Sequence, residues 1–171
     1  MTHSRGYTLV ELIVAVGLFA SIMVLASGSY IMMIGLNQQA QGLATGINSL
    51  SFTLDTMTRD IQTGSAYNCG SPVGGDCPSG DSSFYFVNKN GQNVAYTVVS
   101  NAIMTNGSVV TDPSVLIDSL VFVVSGAGSY ASGNDLQPTV RIIVAGRVLY
   151  GHGKSQSFAV QTAATMRGAD I

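Results

Sequence analysis

The hydrophobic and polar positions divide the chain into three stretches. Leu12 to Leu36, LIVAVGLFASIMVLASGSYIMMIGL, is an apolar run whose one ionisable group is the Tyr30 hydroxyl. As an α-helix rising about 1.5 Å per residue it reaches roughly 37 Å, enough to cross a hydrocarbon core of about 30 Å with some tilt. Behind it, Leu36, Ala40, Leu43, Ile47, Leu50, Leu54, Met57 and Ile61 recur at spacings of four and three. That period puts them on one helical face and predicts an amphipathic stem that docks on a sheet. The stem is expected to stop near Gly64 in a left-handed turn.

The remainder alternates as strands do. Phe84 to Val87 and Val94 to Val99 flank Asn90-Gly91, and Ala102 to Met104 and Val109-Val110 flank Asn106-Gly107. Asn-Gly between apolar runs is a strong tight-hairpin signal. Further strands are expected at Ser119 to Ser125, Thr139 to Ala145 and Ser157 to Met166, the last with Phe158, Val160, Thr162, Ala164 and Met166 on one face. Ser125 to Asp135, SGAGSYASGND, reads as a linking loop. One helix and five or six strands make the fold class α+β, a long N-terminal helix packed on an antiparallel β-sheet domain.

Composition sharpens the first stretch. Charged residues are 9% of the chain, against about 25% in soluble domains. None lies between Glu11 and Asp55, as a membrane segment requires. A secretory signal has a shorter apolar region followed by a small-residue cleavage site, whereas this run is long and continues into further helical pattern, so it is expected to be retained. Arg5 and His3 in the preceding tail MTHSRG place that tail in the cytoplasm by the positive-inside rule, and the rest of the chain outside. The net charge of −2, with no basic cluster, gives no indication of nucleic-acid binding.

Glu11 stands at the mouth of the apolar run. A first-turn carboxylate is favoured by the helix dipole, yet an acid inside a membrane span marks a functional position by default. Its surroundings, Arg5-Gly6-Tyr7-Thr8-Leu9-Val10-Glu11 followed directly by the apolar helix, resemble the N-terminal signal of type IV prepilins and type II secretion pseudopilins. The resemblance implies cleavage by a prepilin peptidase between Gly6 and Tyr7, methylation of the new Tyr7 amine, and a substrate role for Arg5. It also implies that Glu11 pairs with the free amine of a neighbouring subunit during filament assembly. Tyr7 stands where phenylalanine is more frequent, and Ser27-Gly28-Ser29 where major pilins often carry proline, a place for local bending or close helix packing.

Under that resemblance the chain divides into a leader (1–6), a transmembrane and filament-core helix (7–36), a stem helix (37–64) and an extracytoplasmic β-rich domain (65–171). The implied fold is pilin-like. The implied partners are the prepilin peptidase, other pilin or pseudopilin subunits, an inner-membrane assembly platform and membrane lipid, with no cofactor. Ile117 to Phe122, Gln137 to Val140, Phe158 to Thr162 and Arg167 are similar to minor pilins and J-type minor pseudopilins, and favour a minor subunit. Pilus, secretion pseudopilus and DNA-uptake filament stay open, and so does a membrane-tethered binding protein or enzyme that uses the helix only as an anchor.

Cys69 and Cys77 are the two cysteines, and outside the cytoplasm they are expected as a disulfide. Two thiols without a nearby histidine do not complete a zinc site, so no metal is expected. His152 reads as a turn residue, and Asp76, Asp81, Asp112, Asp118 and Asp135 lack the spacing of a calcium loop. No catalytic motif is present, and the chain is read as not an enzyme.

Overall fold

Thr8 starts the first element. Its Oγ1 accepts a hydrogen bond from the Glu11 backbone N–H (3.2 Å) and its carbonyl one from Leu12 N–H (3.2 Å), so it caps helix α1, Leu9–Gln62. The computed structural model describes residues 6–73, 75–128, 133–134, 136–151 and 153–167. The chain forms two units, divided between Ala40 and Gln41, and α1 contributes to both.

In the first unit α1 is exposed almost throughout, with no side chain buried. Its hydroxyls are satisfied within the helix: Ser21, Ser27 and Ser29 donate to the carbonyls of Gly17 (2.9 Å), Met23 (2.8 Å) and Leu25 (3.1 Å). Such back-bonding lets serine sit in an apolar helix without an unpaired donor. The helix runs unbroken through Ser27-Gly28-Ser29.

In the second unit, residues 41–62 of α1 bury Gly46, Leu50, Thr53, Leu54, Met57 and Ile61. The expected stripe holds from Leu50 onward, while Ala40 is exposed and Leu43 and Ile47 are half-buried. Between them glycines make the contact. A Cβ on Gly46 would fall 2.3 Å from Val148 Cγ1, and one on Gly42 would fall 2.4 Å from Tyr150 Cβ. The missing side chains let the helix backbone approach the strand, which a periodicity of large apolar residues does not reveal. On the outer side Arg59 pairs with Asp55 at 2.9 Å, as four-residue spacing allows. The helix ends where expected but by another means. Gly64 has ordinary backbone geometry and is buried against Phe86 and the Val87 carbonyl, while Ala66 takes the positive φ of 53°.

Nine strands follow among the described residues: β1 (Ser65–Cys69), β2 (Cys77–Asp81), β3 (Phe84–Val87), β4 (Asn93–Val99), β5 (Ala102–Thr105), β6 (Ser108–Val109), β7 (Val115–Ser125), β8 (Thr139–Tyr150) and β9 (Lys154–Thr165). They form two antiparallel sheets, in the orders β1-β3-β4-β5-β6 and β2-β7-β8-β9. Both Asn-Gly turns connect neighbouring strands, and Asn106 and Gly107 both have positive φ, as a tight hairpin needs. Ser100-Asn101 makes the β4–β5 turn with two positive φ values and no glycine. Asn101 then ties the sheets together: its carbonyl accepts from Ile117 N–H (2.8 Å) and its Nδ2 donates to the Ile117 carbonyl (3.0 Å).

The strands differ from the sequence reading in number and extent. β1 and β2 lack apolar alternation, since they contain a left-handed Ala66, Pro78 and Gly80. β7 starts earlier than expected because a register shift between Ile117 and Ser119 puts Ile117 and Leu120 three apart on the buried side. Opposite that bulge β8 runs on through Gly146, where a Cβ would lie 2.2 Å from the Leu116 carbonyl oxygen, so glycine continues the strand instead of ending it. β9 shows the expected alternation, with Phe158, Val160 and Thr162 half-buried, Ala164 and Met166 buried, and their neighbours exposed.

The core lies among residues 50–61 of α1 and the inner faces of both sheets. Phe84 of β3 stacks on Phe122 of β7 with ring centroids 5.2 Å apart, and Tyr67 and Phe86 adjoin Phe84 at 5.6 and 5.5 Å. The Cys69–Cys77 disulfide forms as expected, with Cα atoms 5.9 Å apart. It joins β1, the edge of one sheet, to β2, the edge of the other. Of the loop Ser125 to Asp135, residues 129–132 and 135 lie outside the described residues, as do His152, Arg5 and the rest of the tail before Gly6.

Candidate functional site

The N-terminal segment brings its chemistry together over two turns of chain. Gly6, Tyr7 and Thr8 precede the helix in non-helical geometry, and all three are exposed, Tyr7 to 85%. A Cβ on Gly6 would meet nothing within 4 Å, so the Gly6–Tyr7 peptide bond is open to a large reagent such as a protease. Glu11 is exposed at the third helical position, where the partial positive charge of the helix N-terminus favours a carboxylate. Thr8 is a capping residue that the resemblance does not single out. Its signal is nevertheless local, because Thr8-Leu9-Val10-Glu11 has the threonine-x-x-glutamate spacing of a capping box. The cap starts the helix between Tyr7 and Glu11, so the Gly6–Tyr7 bond lies outside the helix and the carboxylate in its first turn.

Behind Glu11 the helix is long and apolar enough to cross a membrane by length and composition, and none of its most apolar stretch is buried. A core helix of a soluble protein would bury that surface. About 37 Å of apolar helix left uncovered is stable only with lipid or other apolar helices around it.

In the β-rich unit, each described acid of the five singled out from sequence has a structural partner. Asp76 accepts from Ala127 N–H (2.7 Å), and Asp81 accepts from the backbone N–H and hydroxyl of Ser83 (3.1 Å each). Asp112 accepts from the N–H and hydroxyl of Ser114 (2.8 and 2.6 Å), which hold its carboxyl below the usual range. Asp118 takes a two-pronged contact from Arg147 (3.1 and 3.0 Å) at the β7 bulge. Among the described residues no three His, Cys, Asp or Glu side chains gather as a metal site would need.

Two of the depressions on the surface of this unit lie at the five-stranded sheet. A 450 Å³ groove on the five-stranded sheet is lined by Asn68, Tyr85, Val87, Asn93, Ala95 and Asn106, among others. A smaller cleft of 190 Å³ lies between the stem and that sheet, bordered by the exposed Phe52 and Thr56, the half-buried Val110 and the buried Tyr96. Neither gathers a nucleophile with a base. The convergence of chemistry in this chain is at its N-terminus.

A family profile described as the prokaryotic N-terminal methylation motif matches residues 1–27. The match covers the tail, Gly6, Tyr7, Glu11 and the first part of the apolar helix. No curated protein and no solved structure matches the chain.

Proposed function

This chain carries the prepilin-type N-terminal methylation motif of type IV pilin-like proteins, and we propose that it is a structural subunit of a pilus-like filament or type II secretion pseudopilus. The observation that carries the reading is the match over residues 1–27 joined to an apolar helix with no buried surface. In this account a prepilin peptidase removes the leader after Gly6 and methylates the Tyr7 amine. The mature chain waits in the inner membrane with residues 37–171 on the far side. Arg5 helps hold the leader at the cytoplasmic face.

Glu11 then does the assembling. In a helix bundle excluding water, its carboxylate needs a cation, and the amine of a neighbouring subunit's first residue supplies one. Because an unpaired buried charge costs about 3 to 5 kcal/mol, one axial offset between neighbours is strongly preferred. The other subunits and the assembly platform are the partners this implies. The strands β7 to β9 carry the segments similar to minor pilins and J-type minor pseudopilins, which favours a minor subunit. Lipid is the resting environment of the helix.

Substitution tests this role. Glu11→Ala should leave membrane insertion and the Cys69–Cys77 domain intact while reducing incorporation into filaments by at least about tenfold, the effect of a lost buried pair. Measured by shearing and fractionating cells that express the variant, incorporation equal to wild type would show that the helix is only a tether.

A further inference from the structure

We propose that the groove on the outer face of the five-stranded sheet binds a neutral carbohydrate, with a sugar ring resting on Tyr85 and its hydroxyls bonded to the amides of Asn93 and Asn106. The strand register builds the groove. Tyr85 of β3 stands opposite Ala95 of β4, and Val87 stands opposite Asn93. Phe84, Phe86 and Tyr96 alternate with them and are buried in the core that includes the stem, so Tyr85, Val87, Asn93 and Ala95 share the face turned away from it. Asn106 lies along the far side of Ala95, where its Oδ1 accepts from the Ala95 N–H (2.9 Å).

The short side chain of Ala95 between Tyr85 and Asn106 leaves a trough of about 450 Å³, within the range of about 300 to 1,000 Å³ of small-molecule sites. Val87 and Ala95 make part of its lining apolar. Tyr85 is half-buried, and among the described residues neither its ring nor its hydroxyl has a partner. The exposed Asn93 side chain is likewise unbonded among them. Asn106 is held in place from both ends of its amide, since its Nδ2 also donates to the Asn93 carbonyl (3.2 Å). An amide has two N–H donors and two acceptor positions, so one of each remains on Asn106, already oriented.

The class of ligand follows from the lining. No charged side chain contributes to it, so a phosphate, a carboxylate or a cation would lose its hydration without compensation. A purely apolar ligand would strip water from the amides and return no hydrogen bond. An added peptide strand needs an open row of backbone groups, and β3 and β4 are each paired on both sides. A sugar meets both kinds of surface: its C–H face covers the tyrosine ring and the apolar lining, and its hydroxyls donate and accept as the amides do. Because the trough faces away from the stem, binding here is independent of how the chain assembles.

Backbone amide NMR of the full chain in dodecylphosphocholine micelles, a detergent without a sugar headgroup, tests this with cellotriose, maltotriose and chitotriose as probes. At least one should shift the Tyr85, Ala95 and Asn106 amides saturably at millimolar concentration and leave those of β8 unmoved. Tyr85→Ala should weaken that binding by about tenfold or more, and Tyr85→Phe, which keeps the ring, by much less. Ala95→Phe fills the trough and removes no polar group. It should abolish the shifts while the β8 and β9 amides keep their wild-type positions, the sign that the chain still folds. No saturable shift with any of the three sugars would overturn the proposal. So would shifts that survive in Ala95→Phe, shifts confined to another surface, or saturation by blocked trialanine where the sugars have no effect.

Discussion

Tyr67 and Tyr96 hold the end of the stem to the sheets, and both are almost fully buried. Tyr67 donates to the Ile61 carbonyl and Tyr96 donates to Asp60 Oδ2 at 3.1 Å. Burial pushes the Tyr67 hydroxyl up to about 12. Burial, reinforced by the neighbouring Asp60 charge, pushes Tyr96 up further. Below the ordinary value near 10 both tyrosines are protonated in either state, so their contribution is complete. As pH rises past 10 the unfolded chain releases protons that the folded chain retains, and stability falls until the folded groups titrate. Each tyrosine adds at most about 1.4 kcal/mol per pH unit to that fall. Thermal unfolding between about pH 9 and about pH 11.5 should therefore lose stability steeply in the wild type and less so in Tyr96→Phe. Equal slopes would mean that Tyr96 ionises as freely folded as unfolded. At this scale the sequence is informative in an uneven way. The Thr8 cap is written in its spacing to Glu11, whereas the Tyr96–Asp60 bond joins residues 36 positions apart and has no local signal.

The stem is the element on which the periodic reading makes its sharpest claim. Met57 is fully buried among the core residues, and Ser51 is exposed on the same helix. Met57→Lys places an unpaired charge in the core and should destabilise the sheet-bearing unit by several kcal/mol, while Ser51→Lys should stay within about 0.5 kcal/mol. Melting temperatures of the two full-length variants in detergent compare them, and equal values would show that the buried stripe does not hold the helix. From Leu50 to Ile61 that stripe is legible in the sequence because large side chains mark it. It is illegible around Gly42 and Gly46, where contact is made by the lack of a side chain. The sheets follow the same logic. β3 and β9 alternate plainly and are legible, and β4 is marked by its apolar run beside Asn90-Gly91. The start of β7 is hidden by its bulge, the run of β8 past Gly146 by a glycine that resembles a stop, and β1 and β2 by turn-type residues. What fixes β1 and β2 to one another is the Cys69–Cys77 disulfide, predicted from compartment and not from strand pattern.

Across the whole molecule, the division of labour follows the distribution of charge. The first unit has an apolar helix headed by one carboxylate, whereas the second sets Asp76, Asp81 and Asp112 in turns and loops and pairs Asp55 with Arg59 and Asp118 with Arg147. The N-terminal motif is legible because its chemistry is local, seven residues in fixed order ahead of an apolar helix. The central claim is that this chain is a prepilin-type precursor that matures into an assembling subunit. Intact-mass analysis of the chain recovered from host membranes tests it most directly. The account predicts a mature chain starting at Tyr7, heavier by one CH2, the gain of a methyl group in place of an amine hydrogen, than residues 7–171 with the disulfide closed. A chain that still carries MTHSRG in cells with an active prepilin peptidase would contradict it.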